Sequence, residues 1–341
     1  MPVTGCSEQE ERQASNLARY AGEIVPILCE PDTLDVVVNA DGRLWVNRLG
    51  RGFSQQGSCQ PAVTKLLLNG VATVRQVPFD HNHPILETIF PLTGDRIEGL
   101  IWPVVENAVF AIRTRQKRLY PLSEMADAGV LSDKNDALNS RRHSEGFSAQ
   151  IQRLDHLEIL RAACRARKNI LIVGPTGSGK TTFANSIIAE WAQVTPKDRV
   201  VTIEDTPELQ CSLPNKVQLL ATARVSQADL LVTSLRLIPR RIVIGEVREE
   251  EPARVLLGAW NTGHSGGLAT IHANDAWSGL RKLETLIGGH GASIRERIAS
   301  AIDLVIFIDG EEQLPAGRKV KEVLLVQSFD PASQDYKATY V

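Results

Sequence analysis

The stretch Gly174-Pro175-Thr176-Gly177-Ser178-Gly179-Lys180-Thr181 constrains this chain more than any other segment. It matches G-x-x-x-x-G-K-[ST] in full, follows an apolar run at 170–173 and precedes a helical pattern at 181–193. Strand, glycine turn and helix in that order form a nest of backbone N–H groups at a helix N-terminus, which holds phosphate. Gly174, Gly177 and Gly179 let the backbone approach phosphate oxygens where side chains would collide. Pro175, Thr176 and Ser178 complete the loop. Lys180 supplies a point charge for β- and γ-phosphates, Thr181 a hydroxyl for Mg²⁺, and Thr182 a further phosphate contact. The expected ligands are therefore ATP and Mg²⁺.

The rest of the chain supplies the sheet that such a loop needs. Residues 170–173, 199–203, 241–244 and 267–271 are short runs rich in Val and Ile, and helical patterns at 181–193 and 252–261 follow the first and third. Strands buried on both faces read this way in doubly wound α/β domains with a largely parallel sheet. Residues 304–308 and 320–326 read as strands flanking a Gly-containing turn. Upstream the pattern is α+β: strands at 34–39 and 43–46 around the turn Ala40-Asp41-Gly42, a helix at 61–69, then strands at 71–77, 85–90, 96–101 and 108–113. A polar stretch at 132–148 reads as a linker. Beyond it, Ile151, Leu154, Leu157 and Leu160 recur at helical spacing, with Ser148 as N-cap.

Composition sets limits. With 341 residues, 43% of them hydrophobic, the chain is long enough for about two domains with real cores. A formal net charge of −2 gives no global basic excess, so direct nucleic-acid binding by the whole surface is not indicated. The five cysteines are widely spaced and contain no Cys-x-x-Cys pair, which argues against a disulfide framework or a four-cysteine zinc site. No apolar run reaches transmembrane length and no signal peptide is read at the N-terminus. A cytoplasmic protein is expected, with any membrane contact peripheral.

Three further segments narrow the chemistry. Val200-Val201-Thr202-Ile203-Glu204-Asp205 places carboxylates directly after a buried strand, at the edge where open α/β sheets bind ligands. Glu204 is a candidate to orient or activate the attacking water; Asp205 and Glu208 read equally as capping or ordinary loop acids. Arg241-Ile242-Val243-Ile244-Gly245-Glu246 is an apolar strand ending in an acid. Glu246 is a candidate to hold Mg²⁺ through water, or the alternative base to Glu204. Arg236 and Arg248 flank this strand as candidates for stabilising phosphate charge, against the alternative of solvated or acid-paired arginines. Finally, His272 follows the strand 267–271, as a candidate sensor of the γ-phosphate.

In this order and spacing the four segments resemble the secretion-superfamily ATPases of type IV secretion, type II secretion and type IV pili, where they are named Walker A, Asp box, Walker B and His box. Within that superfamily the chain is most similar to the VirB11 branch and its conjugal transfer group, TrbB. The similarity extends to Ala259-Trp260-Asn261-Thr262-Gly263-His264, Ala269-Thr270-Ile271-His272-Ala273-Asn274, Asn39-Ala40-Asp41-Gly42-Arg43-Leu44-Trp45-Val46, Ile85-Leu86-Glu87, Arg96-Ile97-Glu98-Gly99 and Phe110-Ala111-Ile112-Arg113. The four-cysteine metal module usual in the type II branch is missing.

The resemblance implies an α/β fold: a RecA-like P-loop NTPase domain at 149–341, a linker at 132–148, and a smaller N-terminal α+β domain at 1–131 forming a lid over the nucleotide. It implies the Asp-box role for Glu204, the Walker B role for Glu246 and the His-box role for His272. Arg96 and Arg113 match N-terminal arginines that reach the nucleotide. It further implies a homo-hexamer working with inner-membrane components of a type IV secretion or conjugation machine. Pro239-Arg240 and Glu249-Glu250-Glu251 depart from the family pattern. The competing readings are a type IV pilus assembly or retraction motor, a nucleotide-dependent scaffold with negligible hydrolysis, and a DNA-handling motor using Arg113–Arg118 and 161–168. The neutral overall charge and lack of interleaved aromatics place these basic clusters on solvated faces or lipid contacts.

Overall fold

A computed structural model describes residues 8–115, 121–131, 145–289 and 291–341. Most of the expected linker, and Gln116 to Arg118 of the first basic cluster, lie outside the described residues. The chain forms two compact units. The first comprises residues 1–118 together with 215–238; the second comprises 119–214 and 239–341. The segment 215–238, which the sequence reading had placed in the ATPase region, is thus grouped with the first unit.

The first unit begins with helices α1 (Glu8–Ala21) and α2 (Ile24–Cys29), followed by strands β1 (Thr33–Val38), β2 (Arg43–Arg48) and β3 (Gly52–Ser58). Helix α3 (Pro61–Arg75) leads to β4 (Ile85–Ile89), β5 (Arg96–Leu100) and β6 (Val109–Arg113). The six strands form one sheet in the order β3-β2-β1-β6-β5-β4, antiparallel throughout. One face carries Val36, Val38, Val46, Leu86, Ile97, Phe110 and Ile112, which pack with Leu17, Leu67, Leu68 and Val71 of α1 and α3 into one core. Of residues 71–77, expected as a strand, 71–75 complete α3 and Gln76 caps it in a left-handed conformation. Leu67, Leu68, Val71 and Ala72 are buried at helical spacing, and packing on the sheet overrides the β-branched composition.

The opposite face mixes buried apolar residues, among them Val37, Trp45, Leu100 and Ala111, with polar ones. Arg113 Nε donates to Asp35 Oδ1 at 2.8 Å, and Asn47 Nδ2 donates to Asp35 Oδ2 at 2.7 Å. Glu98 lies on this face, opposite Ala111 on β6 and Glu87 on β4.

The second unit contains α4 (Leu122–Asp127), α5 (Glu145–Ile151), α6 (His156–Arg165), β7 (Ile170–Val173), α7 (Lys180–Val194) and β8 (Val200–Glu204). The segment belonging to the first unit then contributes β9 (Lys216–Leu220) and α8 (Gln227–Ser234). It is tied there by Leu220 N–H donating to Val104 O at 3.0 Å and Asn39 Nδ2 donating to Asn215 Oδ1 at 3.1 Å. The second unit resumes with β10 (Arg241–Ile244), α9 (Glu250–Asn261), β11 (Leu268–Ile271), α10 (Ala276–Leu286), α11 (Ala292–Ala301), β12 (Leu304–Gly310), β13 (Arg318–Asp330) and β14 (Asp335–Tyr340).

The single helix expected from Ile151 to Leu160 is two. α5 ends at Ile151, and Asp155 caps α6 by accepting the Glu158 N–H at 2.9 Å. Leu154 falls in the break and is exposed. The expected strands of this unit are present. β12, β7, β11, β10 and β8 lie side by side and run parallel, each fully apolar or nearly so, and β13 and β14 extend the β12 edge antiparallel. Trp191, Ile187 and Ile188 of α7 and Ile159, Ala162 and Ala163 of α6 cover one face. The parallel strands therefore end at one common edge, and every loop leaving that edge is placed to share a site.

Buried charges lock this frame. Arg241, fully buried, donates to Asp198 Oδ2, Gly266 O and Cys164 O, each at 2.8 Å, and stacks over Trp191. Arg241 thus has a structural role, while Arg240 is exposed.

Candidate functional site

β7 delivers the chain to the centre of the parallel edge, between β12 and β11. The glycine turn starts at once. A Cβ on Gly174 would lie 2.3 Å from Ile308 O on β12 and 2.6 Å from Ser178 Oγ, so no side chain fits there. Gly179 is the N-cap of α7 at φ +92°, a left-handed conformation suited to glycine. The first N–H groups of α7 thus open onto the loop without intrahelical partners. Thr181 is half-buried on that first turn and Thr182 is exposed beside it.

Lys180 is buried. Its Nζ donates to Gly174 O at 3.0 Å and Pro175 O at 2.9 Å, and lies 3.2 Å from His272 Nδ1. Burial holds its pKa below the usual lysine value, against the opposing pull of Glu246. His272, at the end of β11, has Nε2 2.8 Å from Glu246 Oε1. Arg248 donates to Glu246 Oε2 at 2.7 Å. Lys180, His272, Glu246 and Arg248 therefore form one chain of contacts across three adjacent loops. Burial raises the Glu246 pKa, but Arg248, His272 and Lys180 outweigh it and hold the carboxyl below its ordinary value.

Glu204 has a different environment. β8 and β10 pair in parallel with Ile203 opposite Ile244, so Glu204 and Glu246 leave adjacent strands at the same edge. Glu204 is 4% exposed, and its Oε1 accepts the Glu208 and Leu209 N–H groups at 2.9 and 2.8 Å. Burial raises its pKa, and those two hydrogen bonds only partly reverse the effect. Two carboxylates at one edge are thus pushed in opposite directions, the situation that separates acid–base roles. Glu208 and Asp205 are exposed loop acids.

The structure brings Lys180, Glu204, Glu246 and His272 to one edge of one unit. Arg96, Arg113 and Arg236 belong to the first unit, where with Glu98, Ala111 and Leu235 they line a small cavity. Arg236 is ion-paired with Glu87. Sequence reasoning passed over Arg318, at the start of β13. Its guanidinium lies against Gly179, and no motif in the Gly-Arg-Lys-Val-Lys stretch marks it.

The model of the type II/IV secretion system protein family matches residues 111–309, more than half of the chain. The chain belongs to the type II/IV secretion ATPase family. Its relatives place it in the VirB11 branch. A conjugal transfer protein TrbB of Rhizobium radiobacter is 38% identical over 303 residues, covering 89% of this chain and 86% of the relative. A type IV secretion system protein PtlH homologue of Bordetella bronchiseptica is 32% identical over 333 residues, covering 92% and 96%. The crystal structure of the VirB11 ATPase of the Brucella suis type IV secretion system, in complex with sulphate, matches with a TM-score of 0.78 at 23% identity, over 93% of this chain and 96% of that one. The secretion-ATPase fold is therefore established, with a RecA-like P-loop unit in the second half. Among the described residues no helix is long and apolar enough to cross a membrane.

Proposed function

We infer that this secretion ATPase hydrolyses ATP at the edge formed by Gly174–Thr181, Glu204, Glu246 and His272, and uses the cycle to drive a conjugative type IV secretion apparatus. The observation that carries the reading is the linkage of the P-loop lysine through His272 to Glu246 at the mouth of a parallel sheet. Such a linkage couples the groups that meet a γ-phosphate to the strand end that meets its metal.

Mg²⁺ fits the residues present. The Thr181 hydroxyl and the ionised Glu246 are oxygen donors suited to a hard cation, and no group of three or more His, Cys, Asp or Glu among the described residues competes as a dedicated cage. That is the pattern of a metal held jointly with substrate phosphates. When bound, the ion would neutralise charge on the β- and γ-phosphates. Glu204, with its raised pKa, is the better base for orienting and deprotonating water, and Glu246 is the better anionic anchor. Lys180 leaves the Gly174 and Pro175 carbonyls for the phosphates, and His272 reports that movement to Glu246. Arg96 and Arg113 are assigned as supporting phosphate-charge contacts by family resemblance, and Arg236 by its place before the Walker B strand.

By family resemblance the chain would act as a homo-hexamer on the cytoplasmic side of the inner membrane, in peripheral contact with the secretion machine's membrane components; relatives named for conjugal transfer and type IV secretion support its place in such a machine. Lys180→Ala tests the assignment. Steady-state phosphate release from ATP falls to background while the circular dichroism spectrum is unchanged; undiminished turnover would refute the site.

A further inference from the structure

The β12–β13 hairpin returns along the sheet and begins β13 at Arg318, opposite Gly310. A Cβ built on Gly179 would lie 2.1 Å from Arg318 Nη1 and 2.8 Å from both Cδ and Cζ. The guanidinium therefore rests directly on the backbone of the residue preceding Lys180. It lies at the N-cap of α7, against the phosphate loop.

Its bonding differs from that of four arginines already described. Arg113 pairs with Asp35, Arg236 with Glu87, Arg241 with Asp198 and Arg248 with Glu246. Among the described residues Arg318 is in no ion pair, and its one recorded hydrogen bond runs from Nε to Ala316 O at 3.3 Å. Nη1, the terminal nitrogen that lies against Gly179, has no hydrogen bond among the described residues. On the same hairpin Glu311 pairs with Lys321, and Asp309 accepts the Gly310 N–H.

A half-buried guanidinium without an acid partner, pressed on a phosphate loop, is placed for an anion. We propose that Arg318 is a nucleotide-contacting residue that binds the phosphate chain of ATP and ADP from the hairpin side, opposite Lys180. This rests on the reading of Gly174–Thr181 as the nucleotide site. It also gives Gly179 a second reason to be glycine, since any side chain there would displace the guanidinium.

Equilibrium binding of ADP, ATP and inorganic tripolyphosphate, each with Mg²⁺, to wild type, Arg318→Ala, Arg318→Lys and Lys180→Ala is the test. Loss of one charged hydrogen-bonding group predicts affinity about tenfold to a hundredfold weaker in Arg318→Ala for all three ligands. Arg318→Lys should recover most of it, because lysine keeps the point charge. Ligand-free melting of Arg318→Lys and Arg318→Ala near the wild-type value reports an intact fold. Wild-type affinity in Arg318→Ala, with Lys180→Ala impaired, would overturn the proposal and leave the nucleotide site standing. Loss of ADP but not tripolyphosphate would place the residue at ribose or base and overturn the phosphate contact. Failure of wild type to bind any of the three would remove the nucleotide reading, and this proposal with it.

Discussion

Replacing Glu98 by Gln should make the first unit more stable at alkaline pH and leave it little changed at mildly acidic pH. Glu98 is 2% exposed, and neither carboxylate oxygen has a hydrogen-bond partner among the described residues. Burial pushes its pKa up to about 8, with Arg96 pulling only weakly the other way. In the unfolded chain the group titrates near its ordinary value of 4.5. Below that pH it is neutral in both states. As pH rises towards about 8, the unfolded carboxyl releases its proton and the folded one keeps it, so unfolding gains and stability falls. Above about 8 the loss levels off. At roughly 1.4 kcal/mol per pH unit, the interval sets a ceiling of about 5 kcal/mol. Relaxation and water entry around the ionised group reduce the expected effect to about 2–3 kcal/mol. Glutamine keeps the shape and carries no proton equilibrium. Thermal unfolding of both proteins from about pH 5 to about pH 9 should therefore give curves that coincide at the acid end and separate by roughly 5–10 °C at the alkaline end. Hydrogen exchange at the β5 and β6 amides reads the same difference in this unit alone. Curves that run parallel over the whole range would refute the claim that Glu98 is held neutral by its surroundings.

Glu204→Gln should lower ATP turnover by roughly a hundredfold to ten-thousandfold. In wild type, turnover should rise with pH through a Glu204 pKa lifted above the ordinary 4.5, and that acid limb should vanish in the variant; pH–rate profiles of both proteins check this. Arg241→Met keeps an aliphatic side chain but removes the guanidinium stacked on Trp191 and leaves Asp198 with Arg167 alone, and should cost about 3 kcal/mol, measured by urea unfolding.

The sequence disclosed the second unit more fully than the first, for a physical reason. Its parallel strands are buried on both faces, so Ile170 to Val173 and Arg241 to Ile244 appear as nearly unbroken apolar runs bounded by loops that carry the chemistry. In β3 only Phe53 is buried, and Gly-Phe-Ser-Gln-Gln-Gly-Ser gives no alternation to read. Valines misled at 71–77, where their value lay in tertiary contact rather than local preference. The break before Asp155 was hidden because Leu154 keeps the helical period while lying outside either helix. Glu204, Glu246 and His272 could be read as candidates because each ends a strand of one edge. Arg318 was not, since its position depends on where a hairpin folds back, which no local pattern encodes.

The detour of residues 215–238 into the first unit orders events on the ribosome. A nascent chain that has emerged only as far as Arg118 lacks β9 and α8, including the partner that Asn215 offers to Asn39. That unit cannot finish until Ile238 has left the exit tunnel, by which time the phosphate loop and β8 are already outside. An expression fragment cut at the apparent N-terminal boundary would therefore be unfinished, and a faithful excision would have to splice the later segment back in.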